Sequence, residues 1–267
     1  MMHYDNNLKT AIKAALDAGK AILEVYQTAD FGIETKKDNS PLTLADQRAH
    51  HIIVNALEQT GLPILSEEGK SIPYETRSQW QSFWLVDPLD GTKEFIKRNG
   101  EFTVNIALIN KGNPVAGVIY VPVTDTLYIG LIGQGAVLMT EASKQLAHSE
   151  PEQCQATQLP CITHQSYGIV ASRSHLNEET TAFINEMKSQ HDNVRVISKG
   201  SSLKICMVAE GEADVYPRFG PTSEWDTAAG HAIALASGAT VTIANTNEPL
   251  TYNKENILNP WFIVKRN

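Results

Sequence analysis

At 267 residues the chain suits one large domain or two small subdomains, and it can bury a proper core. Its 42% hydrophobic and 19% charged residues are those of an ordinary globular protein. A net charge of −8 and a pI near 5.5 argue against a nucleic-acid polymer or an anionic membrane as partner. A small anionic substrate is not excluded, because bound metal ions can reverse the local field. The three cysteines, Cys154, Cys161 and Cys206, form no C-x-x-C pair and read as reduced thiols, not as a zinc site. Met1 to Leu8 lacks an apolar signal stretch and no run approaches a membrane span, so a soluble, cytoplasmic protein is expected.

From about Asn6 to Gln27 apolar residues recur at Leu8, Ala11, Ile12, Ala15, Leu16, Gly19, Ile22, Leu23 and Tyr26, the stripe of a core-facing helix. Phe31–Lys36 reads as a strand and Lys36–Pro41 as a polar loop. Thr43 caps the next helix, with Asp46-Gln47 in its first turn and Gly61 as its stop. His50 and His51 are adjacent on that helix, point different ways and cannot share a metal. Pro63-Ile64-Leu65 is a short strand ending in Ser66-Glu67-Glu68-Gly69, and Lys70–Gln81 a polar, mobile segment.

The apolar, β-prone run Phe83–Val86 leads into Asp87-Pro88-Leu89-Asp90-Gly91-Thr92. Pro88 removes a donor and fixes φ, which predicts that the chain leaves the strand there. Gly91 permits a sharp turn and a close ligand, and the amides of Gly91 and Thr92 would open a helix at Lys93–Ile96. The hexapeptide alone fits a capped Asp-Gly turn equally well.

A hairpin follows, Val104–Ile109 and Pro114–Tyr120 about Asn110–Asn113, then strands at Leu127–Leu131 and Ala136–Met139. Gly130, Gly133 and Gly135 have the wrong order for a dinucleotide loop and form a hairpin turn. From Thr140 to Thr163 periodicity is lost, which places a subdomain boundary there. The second half reads as strand Gly168–Ala171, helix Asn177–Ser189, strand Val194–Ile197 and helix Ser201–Glu210. Strand Ala213–Tyr216, helix Asp226–Ser237 and strands near Val241 and Phe262 complete an α+β mixture.

Carboxylates end a strand or start a helix in three places: Glu67-Glu68, Asp87 with Asp90, and Asp226. Singly, each has a dull explanation, and Asp226 would make a good N-cap. Together they describe one pocket. Clustered carboxylates repel by about 4 kcal/mol per pair at 4 Å and an effective dielectric of 20, so the pocket needs cations. Oxygen ligands without His or Cys favour Mg²⁺ or Mn²⁺. Two such ions about 3.5–4 Å apart can activate water and stabilise a leaving oxygen, which is phosphate chemistry.

Glu67-Glu68, Asp87-Pro-Leu-Asp90-Gly-Thr92 and Trp225-Asp226-Thr-Ala-Ala-Gly230 resemble the ordered signatures of the inositol monophosphatase superfamily of lithium-sensitive, Mg²⁺-dependent phosphatases. The extensions Lys93-Glu94-Phe95 and Asn99-Gly100-Glu101-Phe102-Thr103-Val104-Asn105 resemble its CysQ-type, 3′(2′),5′-bisphosphate nucleotidase branch. So do Gly200-Ser201-Ser202-Leu203-Lys204 and Tyr216-Pro217-Arg218-Phe219-Gly220-Pro221. The resemblance covers nearly the whole chain.

It implies a layered α/β/α/β/α sandwich, with subdomains 1–145 and 146–267 and the site between them. It further implies one Mg²⁺ held by Glu67, Asp87 and the Leu89 carbonyl, and a second by Asp87, Asp90 and Asp226. A weaker third ion is described for the family near Glu67. Gly91 and Thr92 amides would bind the phosphate, and Asp46 would pair with the Thr92 hydroxyl to deprotonate a metal-bound water. A threonine is a poor base alone but relays a proton to a carboxylate.

Ser201, Lys204 and Arg218 match positions that contact the nucleotide, with Arg173 and His175 as further candidates near the base. The implied reaction is hydrolysis of the 3′-phosphate of 3′-phosphoadenosine 5′-phosphate, and of the related activated sulfate, in sulfate assimilation. The alternatives are an inositol or sugar phosphatase and a non-catalytic nucleotide sensor. Monomer and homodimer both stay open. Some members of the branch are assigned to the inner face of the cytoplasmic membrane, for which this sequence offers no support.

Overall fold

The computed structural model describes residues 2–36, 41–173 and 177–266. Four residues of the expected Lys36–Pro41 loop, and His175, lie outside them. Helix α1 (Asn6–Tyr26) starts at Asp5, whose carboxylate accepts the Leu8 amide at 2.8 Å. Phe31–Lys36 yields only the two-residue strand β1 (Glu34–Thr35), antiparallel to β2 (Pro41–Leu42). Helix α2 (Leu44–Leu57) begins with a capping box between Thr43 and Asp46 and ends through a 3₁₀ turn at Gly61.

A seven-stranded sheet carries the first half. Its spatial order follows the sequence: β3 (Ile64–Ser66), β4 (Ser82–Asp90), β5 (Thr103–Asn110), β6 (Asn113–Val121), β7 (Thr126–Leu131), β8 (Gly135–Met139) and β9 (Thr157–Gln158). Only β3 and β4 run parallel; every other neighbouring pair is antiparallel. Three short helices interrupt this sheet, α3 (Tyr74–Arg77), α4 (Thr92–Ile96) and α5 (Ala142–Leu146).

The second half builds a five-stranded sheet from β10 (Tyr167–Ser172), β11 (Val194–Lys199), β12 (Val215–Arg218), β13 (Thr240–Ile243) and β14 (Phe262–Lys265), ordered β11-β10-β12-β14-β13. Its helices are α6 (Glu178–Gln190), α7 (Leu203–Glu210) and α8 (Glu224–Ala236).

Strand alternation assigns the layers. On the large sheet Trp84, Val86, Val104, Ile106 and Val118 turn to α1 and α2. Their neighbours Phe83, Leu85, Ala107 and Ile119 turn the other way, onto α7, α8 and the small sheet. Ile169, Ala171 and Val215 of the small sheet pack on Ile184 of α6. The result is an α/β/α/β/α sandwich.

Helix α8 lies so close to the large sheet that side chains are excluded beneath it. A Cβ on Gly117 would sit 2.2 Å from the Ala229 carbonyl oxygen, and one on Gly130 2.5 Å from Ile233 Cα. Those two glycines set the depth of α8, and therefore of the acid in its first turn.

Three sequence expectations change. Pro88 does not end β4: pairing to β5 breaks between Asp87 and Asp90 as a bulge and resumes at Asp90–Thr103, the irregular position where a strand tolerates proline. Lys70–Gln81 is not simply a loose polar segment, because Arg77 is buried and its guanidinium donates to Asn253 Oδ1 and to the Glu255 carbonyl. Asp226 is not the N-cap of α8; Ser223 is, and Asp226 closes its capping box from the third helical position.

Candidate active site

Four carboxylates converge from three parts of the chain. Parallel pairing of β3 and β4 brings their ends level, with Ser66 opposite Val86. The Glu67 amide donates to the Val86 carbonyl at 3.1 Å, so Glu67 emerges beside Asp87. Asp226 arrives from α8. Carboxylate oxygens of Glu67, Asp87 and Asp226 all lie within 4.8 Å of one another.

Asp87 is buried, and burial together with the charges of Glu67, Asp90, Asp226 and Asp46 pushes its carboxyl well above the usual range. Burial, then Asp90 and Glu67, does the same to Asp226. Glu67 is raised by burial too, against the pull of Lys36. The Lys36 ammonium stands 2.8 Å from Glu67 Oε1 and also touches Glu68. These groups fit a hard divalent cation: the donors are all oxygens, and their mutual repulsion is what a cation relieves.

Asp90 lies beside this trio, but its Oδ2 faces the other half of the molecule. It accepts from the Ser202 amide at 2.6 Å, the Ser201 hydroxyl at 2.7 Å and the Ser202 hydroxyl at 2.8 Å. Leu89 lines the same cleft, and its carbonyl accepts the Thr92 hydroxyl at 3.4 Å. Gly91 turns the chain at φ 93°, and a Cβ there would stand 3.0 Å from the Glu101 carbonyl oxygen. The helix it opens is a single turn, α4.

Asp46 uses its two oxygens separately. Oδ2 accepts the Thr43 amide at 2.7 Å and the Thr43 hydroxyl at 2.5 Å, completing the helix cap. Oδ1 accepts the Thr92 hydroxyl at 3.2 Å. Burial raises the Asp46 carboxyl, which makes it a better proton acceptor than an exposed aspartate. The cap and the link to Thr92 are therefore compatible functions of one side chain.

A cleft of about 410 Å³ runs from these carboxylates to Lys204, Tyr216 and Arg218. Lys204 is buried, donates to the Ser201 carbonyl and stands 5.5 Å from the centre of the Tyr216 ring. Burial pushes its ammonium down to about 8. Arg218 donates to the Pro221 carbonyl at 2.8 Å, while its Nε is buried with no hydrogen-bond partner among the described residues. Lys204 and Arg218 line the same cleft as the carboxylates, Lys204 feeling the charge of Asp90 and Arg218 acting on Asp226, so the cleft offers both signs of charge to a ligand with two anionic groups.

The structure thus gathers Asp46, Glu67, Asp87, Leu89, Asp90, Gly91, Thr92, Ser201, Lys204, Arg218 and Asp226 around one cleft. The Ser201 hydroxyl is engaged by Asp90 and Thr103, not directed at open space. Arg173 binds Glu101 through Nε at 3.0 Å and Nη2 at 2.8 Å. Sequence reading gave no role to Lys36, and quoted Ser202, Thr103 and Asn105 only as parts of motifs, without a role of their own. Its available signal was the alternation of polar residues, Glu101, Thr103 and Asn105, where β5 otherwise reads as apolar. Among the described residues no helix is long and apolar enough to cross a membrane.

Comparison with known proteins places this geometry. The model of the Inositol monophosphatase family matches residues 3–261. A 3′(2′),5′-bisphosphate nucleotidase CysQ from Salmonella typhimurium is 45% identical over 261 residues, 96% of this chain and 98% of that protein. The crystal structure of CysQ from Bacteroides thetaiotaomicron superposes with a TM-score of 0.88 at 50% identity, covering 99% of this chain and 98% of that one. The extragenic suppressor protein suhB from Bartonella henselae gives a TM-score of 0.73 at 25% identity, over 98% and 94% of the two chains.

Proposed function

The chain belongs to the inositol monophosphatase family, and we propose that it is the enzyme that removes the 3′-phosphate of 3′-phosphoadenosine 5′-phosphate, giving AMP and phosphate. It is a metal-dependent phosphatase by family. The observation that carries the substrate is the bipolar cleft. A doubly phosphorylated nucleotide offers one phosphate to the carboxylate end and another to Lys204 and Arg218.

Glu67, Asp87 and the Leu89 carbonyl would hold one divalent ion, and Asp87, Asp90 and Asp226 a second, with Mg²⁺ the natural occupant and Mn²⁺ a substitute. When bound, the ions supply positive charge to the reacting phosphate and lower the pKa of water. The protein does the rest. Backbone amides of Gly91 and Thr92 orient the phosphate at the turn. Thr92 Oγ1 accepts a proton from the attacking water as its own proton passes to Asp46 Oδ1, the acceptor already in place. Lys204 and Arg218 hold the phosphate that is not cleaved, which fixes the ribose and aims the 3′ group at the carboxylate end. The Ser201 carbonyl orients Lys204.

The activated sulfate 3′-phosphoadenylyl sulfate carries the same 3′-phosphate and is the natural second substrate. Clearing either compound serves sulfate assimilation, which would put the chain in the cytoplasm. The test is phosphate release with Mg²⁺ from this bisphosphate, from inositol monophosphate and from fructose bisphosphate. A large preference for the bisphosphate nucleotide is expected. Equal or reversed rates would make the chain an inositol or sugar phosphatase.

A further inference from the structure

Glu101, Thr103 and Asn105 alternate along an extended stretch that enters β5, so their side chains face one way. Opposite them stand three consecutive residues of the turn before α7, Gly200, Ser201 and Ser202. Each residue of one set grips one of the other. Glu101 Oε2 accepts the Gly200 amide at 2.8 Å. Thr103 Oγ1 and Ser201 Oγ are 2.7 Å apart. Asn105 Nδ2 donates to Ser202 Oγ at 2.9 Å, and its Oδ1 lies 2.8 Å from the Thr103 hydroxyl, whose one proton is shared between Asn105 and Ser201. Thr103, Asn105 and Ser202 are respectively 0%, 1% and 3% exposed, so water cannot replace a lost partner cheaply.

All of this converges on one atom. The far sides of Ser201 and Ser202 supply three donors to Asp90 Oδ2, at 2.6–2.8 Å. With Oδ2 so engaged, rotation of the carboxylate is stopped and Oδ1 is left to serve a cation. Ser201 holds a left-handed backbone at φ 52°, unfavourable for serine, and the grip from both sides is what keeps it there. A network meant only to tie the turn to the sheet would not need three donors on a single acidic oxygen. The donors also come from the small-sheet half while Asp90 belongs to the large sheet, so docking of the two halves completes the ligand.

The geometry points to Thr103 and Asn105 as positioning residues for the cation held by Asp90. Both act through Ser201 and Ser202, and Asn105 Nδ2 also donates to Asp90 Oδ2 itself at 3.5 Å. This inference rests on the reading of Asp90 as a metal ligand given above. Partners that orient a ligand are worth about tenfold to a hundredfold in metal affinity.

Thr103→Val keeps the shape and removes the hydroxyl, whereas Thr103→Ser keeps the hydroxyl and removes the methyl. Asn105→Ala repeats the test on the Ser202 side should either fail to fold. The readouts are calorimetric titration with Mn²⁺ in the absence of substrate, and the Mg²⁺ concentration that gives half-maximal phosphate release. Thr103→Val and Asn105→Ala should each weaken one binding step about tenfold. They should raise the half-maximal Mg²⁺ in parallel and recover kcat at high Mg²⁺, with Thr103→Ser close to wild type. Unchanged metal affinity in Thr103→Val and Asn105→Ala overturns the inference. A Thr103→Ser defect as large as that of Thr103→Val reduces the role of Thr103 to packing and overturns it equally. Wild-type protein that binds no divalent ion would sink the metal reading, and this inference with it.

Discussion

Thr92 Oγ1 lies 3.2 Å from Asp46 Oδ1, joining the start of α4 to the first turn of α2. The hydroxyl is held by an acceptor that burial keeps more basic than an exposed aspartate. The second Asp46 oxygen is occupied by Thr43, so the carboxylate cannot swing away from Thr92 without breaking its helix cap.

Thr92→Ala should therefore lower kcat by about a hundredfold to ten-thousandfold, the range for loss of a positioned proton relay. KM should change little, since the hydroxyl binds no leaving group. Thr92→Ser keeps the oxygen and should retain most activity. Steady-state kinetics at saturating Mg²⁺ measure this, and a Thr92→Ala enzyme within threefold of wild type would remove Thr92 from the reaction.

Asp226→Asn separates stability from activity. The amide oxygen can still accept the Ser223 amide, now at 2.8 Å from Asp226 Oδ2, so α8 keeps its cap. One buried negative charge disappears from a group that repels itself. Metal-free protein should gain about 1–2 kcal/mol in stability, a fraction of the repulsion between close carboxylates, while activity falls at least about a hundredfold. Thermal unfolding in EDTA measures the first effect. A lower melting temperature would show that the acids are not in conflict when metal is absent.

The same conflict dictates a pH dependence. Glu67, Asp87 and Asp226 are all raised above their ordinary values near 4 in the folded chain. Above the unfolded values, the folded state holds more protons than the unfolded state, so metal-free stability falls as pH rises towards the raised values. Metal competes with those protons. Its stabilising effect should therefore grow over the same pH rise, with proton release on binding. Melting curves with EDTA and with Mg²⁺ should diverge as pH increases from about 4. Curves that stay parallel would contradict the assignment.

The fold was legible where periodicity was strong. The α1 stripe, the Thr43 cap and the Asn110–Asn113 hairpin fall where the residues put them, because each is decided by local spacing or turn chemistry. Pro88 misled because a bulge accommodates it, and a bulge is set by the partner strand, not by the residue itself. The acids were found because strand ends and helix starts mark themselves in sequence. Thr103, Asn105 and Ser202 were quoted within motifs but given no role, because their meaning depends on two segments nearly a hundred residues apart meeting at Asp90. Lys36 was hidden for the same reason.

Lys36 is a cation tethered at the carboxylate cluster. Burial disfavours its charge, yet Glu67 and Glu68 outweigh burial and hold its pKa above the ordinary lysine value. An incoming divalent ion at Glu67 must displace it or share that carboxylate. Lys36→Met should tighten metal binding about threefold to tenfold, as expected from loss of a competing charge-assisted hydrogen bond. It should also destabilise the metal-free protein. Calorimetry with Mn²⁺ measures the affinity, and weaker binding would show that Lys36 supports the ion instead of competing with it.

Lys204 is the proposed partner of the phosphate that is not cleaved. Burial lowers its pKa to about 8, so its charge is lost as pH rises through that value. KM for a bisphosphate nucleotide should climb above pH 8, with kcat little affected until other groups titrate. Lys204→Met should raise that KM about tenfold to a hundredfold at neutral pH and flatten its rise with pH. A substrate with a single phosphate makes no use of the far end of the cleft, so its kcat/KM should be nearly unchanged. If Lys204→Met impairs both substrates equally, the residue supports the turn at Ser201 through its carbonyl and does not read the second phosphate.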